Sequence, residues 1–222
     1  MLLAVDSSTQ WIGLAIYQDE QILAEEVWQS RAHHSVELSP AIELILRRSG
    51  ITTANLSVIA VATGPGSFTS LRIGMAVVKG LALGLHLPVI GIPSLDILAA
   101  GVPVQPIRMA AVLQAGRGRL AVGMYEAVDG RWHGRGNLEV MTPAELEQFI
   151  KKPTLVCGEL TVDERKTLAR RWKNVILASP AVSVRRPAYL AELAWSRWQN
   201  NDVDDAVTIA PSYLHYKDPI PG

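Results

Sequence analysis

The feature that most limits what this chain can fold into is an order of elements that occurs twice. In the first half, apolar runs at 2–5, 11–17 and 21–27 are separated by Asp6-Ser-Ser-Thr-Gln and Gln18-Asp-Glu, residues that favour turns, and they predict a three-stranded meander. Apolar spacing of helical period over about 35–49 stops at Gly50, and a run at 56–62 predicts a buried strand. A second helical pattern covers 68–85, and 88–92 reads as a further strand. Beyond Gly101-Val-Pro-Val-Gln-Pro the order returns, with strands at 108–113, 120–127 and 132–140, a helix from Thr142-Pro-Ala-Glu, a strand at 154–157, a helix at about 162–172 and a strand at 175–178. At Thr142 the local chemistry is explicit: the threonine can cap the helix, Pro143 suits its first position, and Glu145 can reach back to the cap's N–H. A helical pattern at 187–198 and a proline-rich tail close the chain.

Two copies of β-β-β-α-β-α-β predict an α/β protein with a duplicated ribonuclease-H-like fold, each lobe a mixed five-stranded sheet with helices. The expected division is 1–102 plus 187–222 for the N-terminal lobe, with the C-terminal helix packed on it, and 103–186 for the second. With 222 residues, 49% of them apolar, each lobe can own a core. Lysine plus arginine and aspartate plus glutamate balance at 21 each, so the whole molecule projects no field toward a phosphate backbone, and any RNA contact is local or shared. The sole cysteine, Cys157, forms no internal disulfide, and the opening Met-Leu-Leu-Ala-Val-Asp lacks the basic start and long apolar run of a secretion signal. The expected location is the cytoplasm. The most apolar stretch, 74–101, is broken by Lys79, His86, Pro88 and Pro93, which suits a buried helix and strand better than a membrane span.

In two-lobed folds of this kind a nucleotide sits in the cleft, its magnesium near carboxylates on the first hairpin of each lobe and its phosphates on backbone N–H groups. The first lobe offers Asp6 with the hydroxyls of Ser7, Ser8 and Thr9, whereas the matching turn of the second, Gln114-Ala-Gly-Arg-Gly-Arg, has no acid. Half of the expected magnesium environment is missing, and an aspartate after a strand commonly accepts hydrogen bonds from its own turn. The segment Thr63-Gly-Pro-Gly-Ser-Phe-Thr-Ser-Leu-Arg-Ile-Gly puts Gly64, Gly66 and Ser67 in a tight turn that opens a helix, where free N–H groups can hold an anion. No lysine-serine or lysine-threonine pair follows, as a Walker motif requires. A plain strand-to-helix turn and a nucleotide site made of Asp6, Ser7, Ser8, Gly64, Gly66 and Ser67 both stay open. Arg72 reads as a surface ion-pair partner.

Within the second helix Ala76, Gly80 and Gly84 recur every fourth residue, and Gly74 adds another small position. Each interior glycine costs about 1 kcal/mol against alanine, so something is expected to approach this backbone closely. On the first helix Leu38, Ala41, Ile42, Leu44, Ile45 and Leu46 spread over an arc of about 200°, where one core contact needs little more than about 100°. A partner interface is therefore expected at His34, Leu38, Ala41, Ile42 and Ile45 of the first helix and Leu71, Gly74, Met75 and Gly80 of the second. The competing reading is that the C-terminal helix, through Leu190, Leu193, Ala194 and Trp198, covers this surface. Pro40 is expected to bend or break the first helix. No metal site is expected: four residues beyond His33 and His34 stand Glu37 and Leu38, not a second histidine. His86, His133 and His215 are scattered and form no triad with Ser67 or Cys157. The tryptophans read as packing residues, since no basic stripe accompanies them.

Val5-Asp-Ser-Ser-Thr, His34-Ser-Val-Glu-Leu-Ser-Pro-Ala, the Thr63 to Gly74 segment, Leu87-Pro-Val-Ile-Gly-Ile and Pro211-Ser-Tyr-Leu together resemble the bacterial TsaB (YeaZ) family over nearly the whole chain. Ser70 stands where that family commonly has glycine. The resemblance implies an actin-like, ATPase-type (ASKHA) version of the duplicated fold and a role in making threonylcarbamoyladenosine in tRNA. It implies pairing with a catalytic relative, TsaD, joined by the ATPase TsaE, while a separate enzyme supplies threonylcarbamoyl-adenylate. In TsaD the strand matching Leu87-Pro-Val-Ile-Gly-Ile is followed by two metal-holding histidines, and Ser94 and Leu98 fall at those places, neither a comparable ligand. The family's Asp-Ala-Arg and Gly-Glu-Val-Tyr hairpin segments are replaced by Gln114-Ala-Gly-Arg-Gly-Arg-Leu-Ala.

The reading drawn from these residues is a non-catalytic stabilising subunit that is not an enzyme on its own. It carries no cofactor of its own; weak nucleotide binding at the partner interface stays open, as does the choice between homodimer and monomer when the partner is absent. Contact with tRNA is expected through the assembled complex, with local help from Arg117, Arg119, Arg131 and Arg135. The alternative is a stand-alone ATP-dependent phosphotransferase using Asp6 and the 64–67 turn. A peptidase reading finds neither triad nor zinc motif.

Overall fold

The computed structural model describes residues 1–31, 33–170 and 173–213. The expectations that touch Trp172, Leu214, His215 and the rest of the proline-rich tail lie outside the described residues. The chain divides into two compact units, Met1–Gly101 with Arg185–Ser212, and Val102–Val184 with Tyr213.

In the first unit β1 (Leu2–Asp6), β2 (Trp11–Gln18), β3 (Gln21–Gln29), β4 (Val58–Gly64) and β5 (Val89–Pro93) form a sheet of order β3-β2-β1-β4-β5. The meander pairs antiparallel, and β1–β4 and β4–β5 pair parallel. In the second unit β6 (Arg108–Gly116), β7 (Arg119–Val128), β8 (Arg131–Met141), β9 (Thr154–Gly158) and β10 (Val175–Leu177) repeat the same order and pairing senses as β8-β7-β6-β9-β10. Each unit is a mixed five-stranded sheet, and the duplicated ribonuclease-H-like, actin-like fold is present.

Alternation along the strands decides what packs on each face of the first sheet, because successive side chains point to opposite sides. Leu3, Val5, Ile59 and Val61 share a core with Leu38, Ile42 and Ile45 of α1 (His34–Arg48) and with Met75, Val78 and Ala82 of α2 (Phe68–Leu85). Leu2, Ala4, Val58, Ala60 and Ala62 belong to a separate core with Leu190, Ala191 and Ala194 of α6 (Pro187–Gln199). The alanines let α6 sit close, as does Gly13, where a Cβ would lie 3.1 Å from the Pro187 ring. The C-terminal helix therefore covers the face opposite α1 and α2, which removes the reading in which it shields them. In the second unit α4 (Pro143–Phe149) and α5 (Val162–Ala169) bury Leu146 and Leu168 against Ala110, Val112, Val122 and Val156. The Thr142 box forms as expected, with the Glu145 N–H donating to Thr142 Oγ1 and the Thr142 N–H to Glu145 Oε2.

Two expectations are corrected. α1 is not broken at Pro40, because the exposed proline forfeits a single helical hydrogen bond while Leu38 and Ile42 on either side are buried in the sheet core. A short helix, α3 (Ser94–Ala100), follows β5 where none was expected; Ser94, Leu95, Ile97, Leu98 and Ala99 are all buried, so its sequence carries no polar–apolar period. α2 is long and apolar enough by composition to cross a membrane, yet it lies on the sheet through Leu71, Met75, Val78 and Ala82.

Candidate functional site

Two places hold the residues singled out above, the β1–β2 turn and the outer surface of α1 and α2. At the turn the buried side-chain polar atoms find partners within the first unit. Asp6 is 2% exposed, its Oδ1 accepts the Ser8 N–H at 2.8 Å, and its Oδ2 accepts Arg185 Nε at 2.8 Å. Arg185, also 2% exposed, donates through Nη2 to Thr9 Oγ1 at 3.0 Å. Ser7 donates its hydroxyl to the Ser70 carbonyl at 2.9 Å, and the Ser8 and Ser94 hydroxyls lie 2.6 Å apart.

The Gly64–Ser67 turn closes on the same residues. The Ser67 N–H donates to the Ser8 carbonyl at 2.7 Å, and the Gly64 N–H donates to Ser94 Oγ at 3.1 Å. Gly64 takes a φ of +107°, and a Cβ there would stand 2.7 Å from the Ser212 carbonyl oxygen; at Gly66 it would stand 2.0 Å from the Ser8 carbonyl oxygen. Two glycines are thus required by close backbone approach inside the chain. Ser67 caps α2 by accepting the Ser70 N–H. Two of the turn's donors, the Gly64 and Ser67 N–H groups, face a protein hydroxyl and a protein carbonyl. Asp6, Ser7, Ser8, Gly64, Gly66 and Ser67 are thus brought together, but as a packed and mutually bonded cluster. Ser94 and Leu98 are buried on α3, Ser94 as the hydroxyl that joins the two turns. In the second unit Gln114 donates to the Glu159 carbonyl and to Glu164 Oε2, so an amide stands where the first unit has its acid.

On α1 and α2 the expected interface residues divide. Leu38, Ile42, Ile45, Leu71 and Met75 are buried in the chain's own core and form no surface, which corrects their placement. Their burial also accounts for much of the wide apolar arc of α1, since Ala41 is half-buried against the same core. His34 is 5% exposed and donates from Nε2 to the Thr9 carbonyl at 2.8 Å, so it ties α1 to the β1–β2 turn. A Cβ on Gly74 would meet Ser7 Oγ at 2.0 Å, so that glycine admits the turn, not a partner. Gly80 differs: among the described residues nothing lies within 4 Å of an added Cβ.

The outward face of α2 is the surface that sequence reasoning located only in part. Thr69, Ile73, Ala76, Gly80, Leu83 and Gly84 fall within roughly 120° of the helical wheel, and no charged residue stands among them. Ile73 is half-buried, Ala76, Gly80 and Gly84 are exposed, and Leu83 is 53% exposed. Arg72 and Lys79 flank the stripe. Arg72 lies over the Phe68 ring at 4.5 Å, with no ion pair among the described residues, and Lys79 donates to the Val207 carbonyl. That bond belongs to the C-terminal segment, which pairs Asp204 with Val89 at the edge of β5 and packs Ala206 and Ile209 on the core. The described part of the segment, to Tyr213, covers the Lys79 side and leaves Gly80 open. An open groove of about 590 Å³ adjoins the start of the stripe, lined by Gln10, Gln29, Arg31, His34, Thr69 and Ile73 among others.

Among the described residues no group of three or more His, Cys, Asp or Glu could hold a metal ion. Cys157 is buried, and its thiol is pushed above its ordinary value by burial.

A family model described as TsaD, tRNA N6-adenosine threonylcarbamoyltransferase, matches residues 21–219. The tRNA threonylcarbamoyladenosine biosynthesis protein TsaB of Bacillus subtilis (strain 168) is 33% identical over 129 residues, 58% of this chain and 56% of that protein. The Escherichia coli (strain K12) TsaB is 32% identical over 145 residues, 64% of this chain and 62% of that protein. The chain thus spans less than two thirds of the length of these curated relatives. Among solved structures, YeaZ from Pseudomonas aeruginosa superimposes with a TM-score of 0.78 at 24% identity, covering 96% of this chain and 99% of that one. The ethanolamine utilization protein EutJ from Carboxydothermus hydrogenoformans shares the fold at a TM-score of 0.52 and 14% identity, covering 85% of this chain and 88% of that one.

Proposed function

The chain belongs to the TsaD family, among its TsaB (YeaZ) members, and from that premise we propose that it is a non-catalytic subunit which docks on a TsaD-type relative in the threonylcarbamoylation of tRNA adenosine. The observation that carries this reading is the uncharged outward stripe of α2. A helix on the surface of a globular protein normally turns charged and polar residues to water, and this one turns Ile73, Ala76, Gly80, Leu83 and Gly84 outward. Small residues there let a second helix come close, and the absence of charge leaves nothing costly to desolvate.

The closed β1–β2 turn argues in the same direction, because both Asp6 oxygens are taken and Ser94 and Leu98 offer no metal pair. Catalysis then belongs to the relative. A TsaE-like ATPase joins the assembly, tRNA is met through the complex, and the stripe pairs with a second copy of this chain when the relative is absent. The setting is the cytoplasm. Affinity-tagged chain, co-expressed with the TsaD-type relative, retains it on a column, and Gly80→Leu loses it while keeping the circular dichroism of the parent. Retention of the relative by a folded Gly80→Leu chain would sink the reading.

A further inference from the structure

The fold implies a magnesium nucleotide beside the β1–β2 turn, and the residues there do not fit one. A divalent ion at Asp6 would sit against the Arg185 guanidinium, which already pairs with Oδ2, while Oδ1 accepts the Ser8 N–H. A phosphate needs open N–H groups and room at the glycine turn, yet Ser67 points its N–H at the Ser8 carbonyl, and that oxygen lies where a single added carbon at Gly66 would collide.

We propose that Arg185 is a resident cation which stands where a metal would balance Asp6, and that this side chain closes the first unit's turn to magnesium. A carboxylate buried this deeply is strongly unfavourable without a counter-charge. The guanidinium supplies one in a fixed fork that reaches Asp6 and Thr9 together, which a compact ammonium would not do. Arg185 is also the first residue of the segment that returns to the first unit. Its neighbour Arg186 pairs with Glu25, whose other oxygen accepts the Ala188 N–H at the start of α6. The same returning stretch therefore delivers the counter-charge and seats the helix that covers the alanine-lined face. Charge balance at the turn depends on no ligand, so the unit keeps its fold without a bound nucleotide. This inference does not rest on the docking surface and stands or falls separately from it.

The test is a Mn²⁺ titration of the intact chain, followed by the electron paramagnetic resonance signal of free aqueous Mn²⁺. The parent chain is expected to leave the signal undiminished. Arg185→Ala, folded by circular dichroism, is expected to take up one ion per chain, and adding Asp6→Asn is expected to abolish that uptake. Uptake by the parent chain that disappears in Asp6→Asn overturns the proposal, as does a folded Arg185→Ala chain that leaves the signal unchanged. Should Arg185→Ala fail to fold, the melting temperature of the Asp6→Asn, Arg185→Gln double variant decides. A double variant more stable than Arg185→Gln alone supports a charge-balancing role, and one no more stable overturns it.

Discussion

Gly80→Leu should raise the stability of the isolated chain while abolishing its complex. Gly80 sits in the interior of α2, and among the described residues an added Cβ finds nothing within 4 Å, so the leucine side chain has room. Relieving an interior helical glycine is worth about 0.8–1 kcal/mol. For a domain of this size 1 kcal/mol moves the melting temperature by about 2–4 °C, so differential scanning fluorimetry should show a rise of about that amount. Gly74→Ala, six residues earlier on the same helix, should do the opposite. Its Cβ would meet Ser7 Oγ at 2.0 Å and Ser7 Cβ at 3.0 Å, and the Ser7 hydroxyl is already committed to the Ser70 carbonyl. Overpacking of this kind costs about 1–3 kcal/mol, with a matching fall in melting temperature. A fall for Gly80→Leu, or no loss for Gly74→Ala, would refute the assignment of one glycine to the open face and the other to the core.

Leu38→Ala should destabilise the isolated chain by about 2–5 kcal/mol in urea titration, because Leu38 is 0% exposed within the sheet core; an unchanged midpoint would return Leu38 to the surface. Cys157 should react with a thiol reagent far more slowly in the native chain than in denaturant, since burial raises its thiol above the ordinary 9.0 and hides the sulfur. Glu37 is held below its ordinary 4.5 first by the hydrogen bond from Trp28 Nε1, with a second from the Ser30 hydroxyl. A depressed carboxyl adds stability above its unfolded value and loses it as pH falls through the folded one. The melting-temperature gap between the parent chain and Trp28→Phe should therefore narrow as pH drops below about 4.5, leaving only the packing that Trp28 loses on the core, and a gap independent of pH would contradict the bond.

The order of elements was legible because each strand and helix carries its own local signal, down to the Thr142 cap and the Gly50 stop. α3 was not legible because burial of five of its seven residues erases helical contrast. The outward face of α2 was legible only through its glycines: Gly74 and Gly80 look alike in sequence, and only the position of Ser7 separates them. On α1 the broad apolar arc reflected burial against the sheet core more than a second partner. Arg185 was beyond reach, because nothing in its neighbourhood announces a carboxylate 179 residues away. The nearest signal was Asp6 itself, an acid in an apolar strand end with no second acid to share a metal.

Hydrogen–deuterium exchange of the intact chain, alone and mixed with the TsaD-type relative, tests the docking surface most directly. The account predicts added protection along α2 from Ile73 to Gly84 and at the start of α1, with β8 and α5 unchanged. Protection confined to the second unit, with α2 exchanging as in the free chain, would contradict it.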